Sequence, residues 1–422
     1  MTALSTHSIR YGSRDLTLSW PDSVDVTAVG RRSASNGNTQ SVLSEAIAHH
    51  VHAPSLRDFL EHAEYPLVVV NDATRSTPTA AVLELMLPTL KLHPHWRAIV
   101  ATGLHRAPTG DEMAQIFGGC LPNIRDRILI HDGRDENALI RVESPAGPVF
   151  VNSVLNKADR LILINSVEPH FFAGFTGGRK SLIPGLAGYK TVEQSHAGAV
   201  SPASAPLRVR GNPVREYIER ATQVVPKERL WAFQVVLDAA DEVVAAIAGD
   251  VDSAFARACS AACEYYTVPI ESRFDIVLAA VHPPLDLNLY QMQKGWELCQ
   301  AAVRDGGALI VTSPCLEGVG SPFYQRLSEE FPNQDDWLAL AGRPYTMGLH
   351  KLVRTGRMRQ RCRLMAVTNM SPVELQRFGY EPFGDINEAI AAACAQVGKP
   401  ARALVVHDAA LTTMTIRNDE HK

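Results

Sequence analysis

The sequence predicts two doubly wound α/β domains with a site in the cleft between them. Short, wholly apolar runs at 67–70 and 161–164 read as strands buried on both faces, which is how strands of parallel sheets look. Such runs alternate with stretches of helical periodicity, the pattern of strand–helix–strand units. A second series of the same kind begins at Phe274, so the boundary falls near 267–273 and divides the chain into 1–270 and 271–422.

In order along the chain, residues 8–20 read as a β-hairpin around Gly12, and the polar Gly/Asn/Ser-rich stretch 31–39 as a loop. Helical periodicity covers 41–51 and 56–62. Then come a strand at 67–70, a helix at 79–92 and a strand at 97–101. Thr109-Gly-Asp-Glu112 is a capping box that opens the next helix. Strands follow at 128–130 and 161–164, and Asn212-Pro213 starts a helix with proline in its first turn. Residues 231–237 and 243–247 read as strands that close this half, and 251–265 as a helix. In the second series 276–281 is a strand, 295–303 a helix and 308–312 a strand. Helices run to about 359, 364–367 is a strand, and Ser371-Pro-Val-Glu374 is a second capping box. A helix at 386–395 and a last strand at 403–406 complete the pattern.

Composition narrows the function. A net charge of −4 leaves no electrostatic footprint for nucleic acid. No apolar run reaches membrane-spanning length, and the first residues lack the basic and apolar regions of a secretory signal. The 7 cysteines are odd in number and scattered, which points to a reducing cytoplasm rather than a disulfide framework. Cys259 and Cys263 lie on an alanine-rich helical face and read as core packing, and no zinc pattern exists.

The chemistry gathers after the strands, where open α/β sheets bind ligands. Asn71-Asp72-Ala-Thr74-Arg75-Ser-Thr-Pro78 follows one strand and Gly103-Leu104-His105-Arg106 the next. After Ile164 comes the longest such stretch, Glu168-Pro-His170-Phe-Phe-Ala-Gly-Phe-Thr-Gly177-Gly178-Arg-Lys180-Ser, continuing to His196. In the second series His282 is followed by Tyr290-Gln291-Met-Gln-Lys294-Gly295. Each group has a plain reading as well: Asp72 as a helix cap, His105 as a hydrogen-bonded structural histidine, Lys180 as a phosphate-binding or surface lysine. His131 reads as structural, and the basic cluster at 357–363 as a solvated helix end. Gly174-Phe-Thr-Gly-Gly-Arg-Lys180-Ser181 nearly matches the nucleotide-binding phosphate loop, but Arg179 stands where that loop needs its last glycine.

These motifs resemble the nickel-pincer-dependent lactate racemases and related 2-hydroxyacid racemases and epimerases, over nearly the whole chain. The carriers are Asp72 to Pro78, Gly103 to Arg106, the Glu168 to Ser181 stretch, His196, Gly211-Asn-Pro213 and Tyr290-Gln291-x-x-Lys294-Gly295. The resemblance implies a cytoplasmic isomerase that carries nickel and pyridinium-3-thioamide-5-thiocarboxylic acid mononucleotide, covalently attached to Lys180. It implies His196 as the protein ligand to nickel, and Asp72, Thr74, Gly177 and Gly178 as cofactor-binding positions. It pairs His105 and His170 as acid/base catalysts, and assigns substrate contacts to Arg75, Tyr290, Gln291 and Lys294. Domain 1–270 then holds cofactor and catalysts, and 271–422 contributes substrate contacts. Proteins that build and load the cofactor are the implied partners, with no nucleic acid or membrane among them. Leu104 departs from the threonine of the lactate enzymes and leaves the identity of the 2-hydroxyacid open.

The chemistry of a 2-hydroxyacid agrees with these roles. Removing a proton beside a carboxylate builds charge on charge, whereas moving a hydride avoids the carbanion. The hydroxyl proton still needs a base on each face, and imidazole titrates near neutrality. A phosphate-loop ATP-using enzyme and a non-catalytic carrier of the cofactor are the alternatives from other classes.

Overall fold

The computed structural model describes residues 6–34 and 38–417. The first five residues, and positions 35–37 of the loop expected at 31–39, lie outside the described residues. The chain forms two compact units, one of Met1–Arg32, Ala199–Pro202 and Tyr266–Lys422, the other of Ser33–Gly198 and Ala203–Tyr265. The first 32 residues therefore belong with the C-terminal part, not with the 1–270 block expected from the sequence. The cause is a strand the sequence reading missed, Val24–Val29, which pairs in parallel with Ala401–Val406 at the sheet edge. Its alternation of apolar and polar residues suits an edge strand with one covered face.

The larger unit is built on a sheet ordered Val243–Gly249, Leu230–Leu237, Arg160–Ser166, Pro66–Asn71, Arg97–Ala101, Ile128–Ile130. All neighbours are parallel except the first pair. The chain runs outward from Pro66–Asn71 through the next two strands, then returns to the other side of Pro66–Asn71 with Arg160–Ser166. This reversal is a topological switch point, where the loops leaving adjacent strand ends diverge and open a crevice. Leu67, Val68, Val69 and Val70 are essentially unexposed, as strands covered on both faces must be. A second departure from the sequence reading is the hairpin Leu139–Ser144 with Gly147–Asn152.

The other unit carries a six-stranded parallel sheet: Glu381–Phe383, Arg363–Val367, Val303–Thr312, Phe274–Ala280, Ala401–Val406, Val24–Val29. Ala401–Val406 is not the last strand, because Thr413–Ile416 follows and pairs with Thr267–Ile270. The helix expected at 295–303 begins earlier, at Leu289–Cys299, because the side chain of Asn288 accepts the Gln291 amide at 3.1 Å and caps it. Val303 already starts the next strand. No helix among the described residues is long and apolar enough to cross a membrane.

Trp296 anchors this second core. It is unexposed, and its indole N–H donates to the hydroxyl of Tyr380 at 2.9 Å. Trp296→Ala should therefore destabilise the fold by about 3–5 kcal/mol, through the cavity and the orphaned hydroxyl. Urea unfolding with near-ultraviolet circular dichroism would measure it, and a loss below about 1 kcal/mol would show that the indole is not an anchor.

Candidate active site

At the switch point the two diverging loops are tied together before they separate. The side-chain oxygen of Asn71 accepts the hydroxyl of Thr77 at 2.9 Å and the amide of Ser166 at 3.2 Å. With that proton given to Asn71, the Thr77 hydroxyl oxygen accepts from the Ser166 hydroxyl at 3.0 Å. The next residues on either side, Asp72 and Glu168, are both buried.

Asp72 accepts the Thr74 amide at 3.1 Å and the Thr74 hydroxyl at 2.6 Å on one oxygen. Its other oxygen lies 2.7 Å from Nδ1 of His105. Burial pushes this carboxyl up, but the hydrogen bonds and positive charge of His105, with Thr74 and Arg75, outweigh it and hold the group at about 2. A carboxylate only accepts, so His105 carries its proton on Nδ1, and in the neutral ring Nε2 is the basic nitrogen. Asp72, expected to hold a cofactor, thus has both oxygens engaged and orients His105. The next cation, Arg75, forms a buried ion pair with Glu168 through Nη1.

His170 lies on the two-residue strand Pro169–His170, folded back on Gly174–Phe175. Its Nδ1 accepts the amides of Ala173 at 3.2 Å and Phe172 at 3.5 Å, so the neutral ring carries its proton on Nε2. The two histidines are therefore held in opposite tautomers. Phe172 packs edge-on against His170 at 4.5 Å and against His196 at 5.0 Å between ring centroids, which joins the His170 turn to the helix Tyr189–Ala197. Asn212 caps the helix Pro213–Ala221 and donates to the Phe172 carbonyl at 2.9 Å, which gives the Gly211-Asn-Pro213 motif its structural part. In the last turn of its helix His196 points Nδ1 at the Val192 carbonyl, 2.9 Å away, so Nδ1 donates and Nε2 holds the lone pair that a metal requires.

Lys180 sits in the short 3₁₀ turn Gly178–Ser181. Gly177 has φ +79°, and a Cβ there would fall 2.6 Å from Val167 and 2.8 Å from Gln234. Gln234 accepts the Gly178 amide at 2.8 Å and donates to Asn165 at 3.1 Å, and Asn165 bonds Ser181. These two wholly buried amides fix the glycine turn from beneath, a role the sequence reading did not assign. Arg179 turns away and forks onto Asp252 at 2.9 and 3.1 Å. With Arg179 so committed and only one 3₁₀ turn after the glycines, the segment lacks the long helix start of a nucleotide phosphate loop. His131 is buried with both ring nitrogens paired, to Ala187 and Asn152, as a structural histidine.

Tyr290, Gln291 and Lys294 lie in the other unit, on the first turns of Leu289–Cys299 rather than on a loop. Tyr290 is pushed up to about 12 by burial. Lys351, unexposed, donates to its carbonyl at 2.7 Å and sits 4.0 Å from its ring centre. The side-chain oxygen of Gln291 is buried without a hydrogen-bond partner, an acceptor that suits a ligand's donor.

Both parts of the chain are similar to known proteins. Residues 11–206 match the lactate racemase N-terminal domain, and residues 271–412 the lactate racemase C-terminal domain. A lactate racemase of Thermoanaerobacterium thermosaccharolyticum is 29% identical over 339 residues, 78% of this chain and 79% of that protein. One of Lactiplantibacillus plantarum is 28% identical over 298 residues, 69% of this chain and 70% of that one. The solved lactate racemase apoprotein from T. thermosaccharolyticum superposes with a TM-score of 0.86 at 26% identity, covering 97% of this chain and 99% of that one. A Thermotoga maritima protein of known structure, 18% identical with a TM-score of 0.70 over 90% of this chain and 98% of that one, shares the fold.

The Asp72–His105 contact can be tested directly. A carboxyl lowered from 3.8 to about 2 stabilises the fold above the unfolded value, and that contribution is lost as pH falls through about 2. Carbon-detected NMR titration should find Asp72 near this low value, and nitrogen NMR should find His105 protonated on Nδ1. Asp72→Asn should release the ring to the other tautomer. An Asp72 titrating near 4 would sever the pair.

Proposed function

The chain belongs to the lactate racemase family and is an isomerase, and we propose that it inverts the hydroxyl-bearing carbon of a small 2-hydroxyacid. The observation that carries this reading is the pair of histidines in opposite tautomers, one presenting a lone pair and the other a proton at Nε2. Such a pair can take the proton of a hydroxyl and hydrogen-bond the oxygen of the resulting carbonyl.

A nickel-pincer nucleotide tethered to Lys180 would supply the hydride acceptor and donor when bound. The residues fit a group that brings most of its own metal donors. His196 offers an oriented Nε2, and no set of three or more His, Cys, Asp or Glu among the described residues could hold a metal unaided. Gly177 and Gly178, both at positive φ, bring the chain close under Lys180, where a Cβ would find no room. Asp72 and Thr74 brace the same side through His105.

Arg75 is the group for the substrate carboxylate, since a guanidinium fork matches it in two places. Glu168 holds Arg75 in place through Nη1 alone, and we propose that the carboxylate of the substrate binds the rest of the guanidinium. Lys294, Tyr290 and Gln291 are the proposed contacts from the second unit, and the unsatisfied Gln291 oxygen suits a hydroxyl donor. The reading implies partner proteins that build and load the cofactor, and a cytoplasmic setting.

The test is protein matured with those partners, incubated with single enantiomers of lactate and of larger 2-hydroxyacids and followed by chiral chromatography. His105→Ala and His170→Ala should each lower the rate by roughly 10²-fold or more. The loss in kcat/KM should be equal in the two directions, because enantiomers have equal energies. Intact-protein mass spectrometry should show an adduct that Lys180→Ala abolishes. An adduct without racemisation of any 2-hydroxyacid would leave a cofactor carrier, and activity with an unmodified Lys180 would remove the tether.

A further inference from the structure

A pocket of about 520 Å³ lies in the larger unit, apart from every residue assigned above. Three segments wall it: the turn at Gly133–Arg134, the hairpin of Leu139–Ser144 and Gly147–Asn152, and the first turn of Tyr189–Ala197. Each segment contributes one cation, Arg134, Arg141 and Lys190, against a single lining carboxylate, Glu136. The remaining lining is apolar or aromatic: Leu139, Phe150 and the ring of Tyr189.

The floor is already built. The Tyr189 amide donates to the Gly133 carbonyl at 2.8 Å, and the Gly133 amide to the Gly103 carbonyl at 3.2 Å. A Cβ on Gly133 would meet the carbonyl oxygens of Ala187 and Gly103 at 2.7 Å, so only glycine lets this turn approach the segment before Tyr189 and the Gly103 loop. Arg134 is steadied by donating from Nη1 to the Leu104 carbonyl at 2.8 Å. Lys190 lies 5.5 Å from the centre of the Phe150 ring. Arg141 pairs with Glu143, but both side chains are more than half exposed, so that pair is weak and readily exchanged for a better anion.

We propose that this pocket binds an aromatic phosphomonoester, of which a nucleoside monophosphate is the simplest biological form. Three lining cations, two of them guanidinium groups, match the charge of a phosphate dianion. Phosphate alone would leave most of the volume and all the apolar wall unused, whereas a flat ring covers Phe150 and Tyr189. Glu136 supplies an acceptor for ring-amino or sugar-hydroxyl groups.

Titration calorimetry of the full chain with AMP tests this. Saturable binding of one AMP per chain is expected, with inorganic phosphate and adenosine each about tenfold weaker or worse. Replacing Arg141→Ala and Lys190→Ala together removes two charge-assisted contacts and should weaken AMP by about tenfold or more. Both residues are exposed, and hydrogen exchange over 139–152 without AMP, equal in the two proteins, checks that the hairpin is intact. No saturation up to on the order of 10 mM would overturn the proposal. So would AMP affinity indifferent to the two substitutions, which would put the nucleotide elsewhere, or phosphate binding as tightly as AMP.

Discussion

Everything in the candidate site depends on the reversal of strand order beside Pro66–Asn71. Because Arg97–Ala101 lies on one side of that strand and Arg160–Ser166 on the other, two loops must part from adjacent strand ends. Asn71, Thr77 and Ser166 stitch the last residues of both strands together, so the loops part at a fixed place. Asp72 follows one stitch and Glu168 the other. Backbone that is held this firmly can present charged side chains to one crevice without the loops wandering.

That crevice collects charge, and the larger unit manages it by pairing. Asp72 meets His105, Arg75 meets Glu168, and Arg179 meets Asp252. A buried charge without a partner would cost several kcal/mol, so the buried members, Asp72, Glu168 and Arg179, are each held where a partner is. The pairs differ in what they leave over. Arg179 gives its fork to Asp252, and its part is to hold the glycine turn. His105 gives Nδ1 to Asp72, and its side chain is left about half exposed. Arg75 gives Nη1 to Glu168, which holds the guanidinium in place.

Much of this was legible in the sequence, for a physical reason. Strands buried on both faces must be continuously apolar, so 67–70 and 161–164 declared themselves, and the capping box at Thr109 and Glu112 formed as read. Val24–Val29 was not legible, because a half-buried edge strand alternates weakly and its partner is Ala401–Val406, far along the chain. The start of Leu289–Cys299 was missed although Leu289, Met292, Trp296 and Cys299 fall at helical spacing on its buried face, because polar residues separate them and the cap at Asn288 is a side-chain contact. The motif residues could be named but not their bonds: Asp72 and His105 are 33 residues apart, and only the packing of neighbouring strands makes them partners. One signal was present and unused. Asn165 and Gln234 stand in otherwise apolar strands, and a polar side chain in such a place must be satisfied. Here the glycine turn beneath Lys180 satisfies both.

Under the proposed assignment of His105 and His170 as the acid/base pair, their opposite tautomers bear on how an inversion can run both ways. A reaction between mirror-image molecules needs each base to serve in turn as acceptor and donor. His105 can do so where it stands, since Asp72 stabilises the ring whether it carries one proton or two. His170 is held differently. Its Nδ1 receives two backbone amides, so a second proton there would meet donors instead of an acceptor. Those contacts are long, at 3.2 and 3.5 Å, and bonds of that length are weak. The asymmetry is therefore one of how the rings are held: one histidine is fixed by a charge, the other by neutral amides and by packing against Phe171 and Phe172.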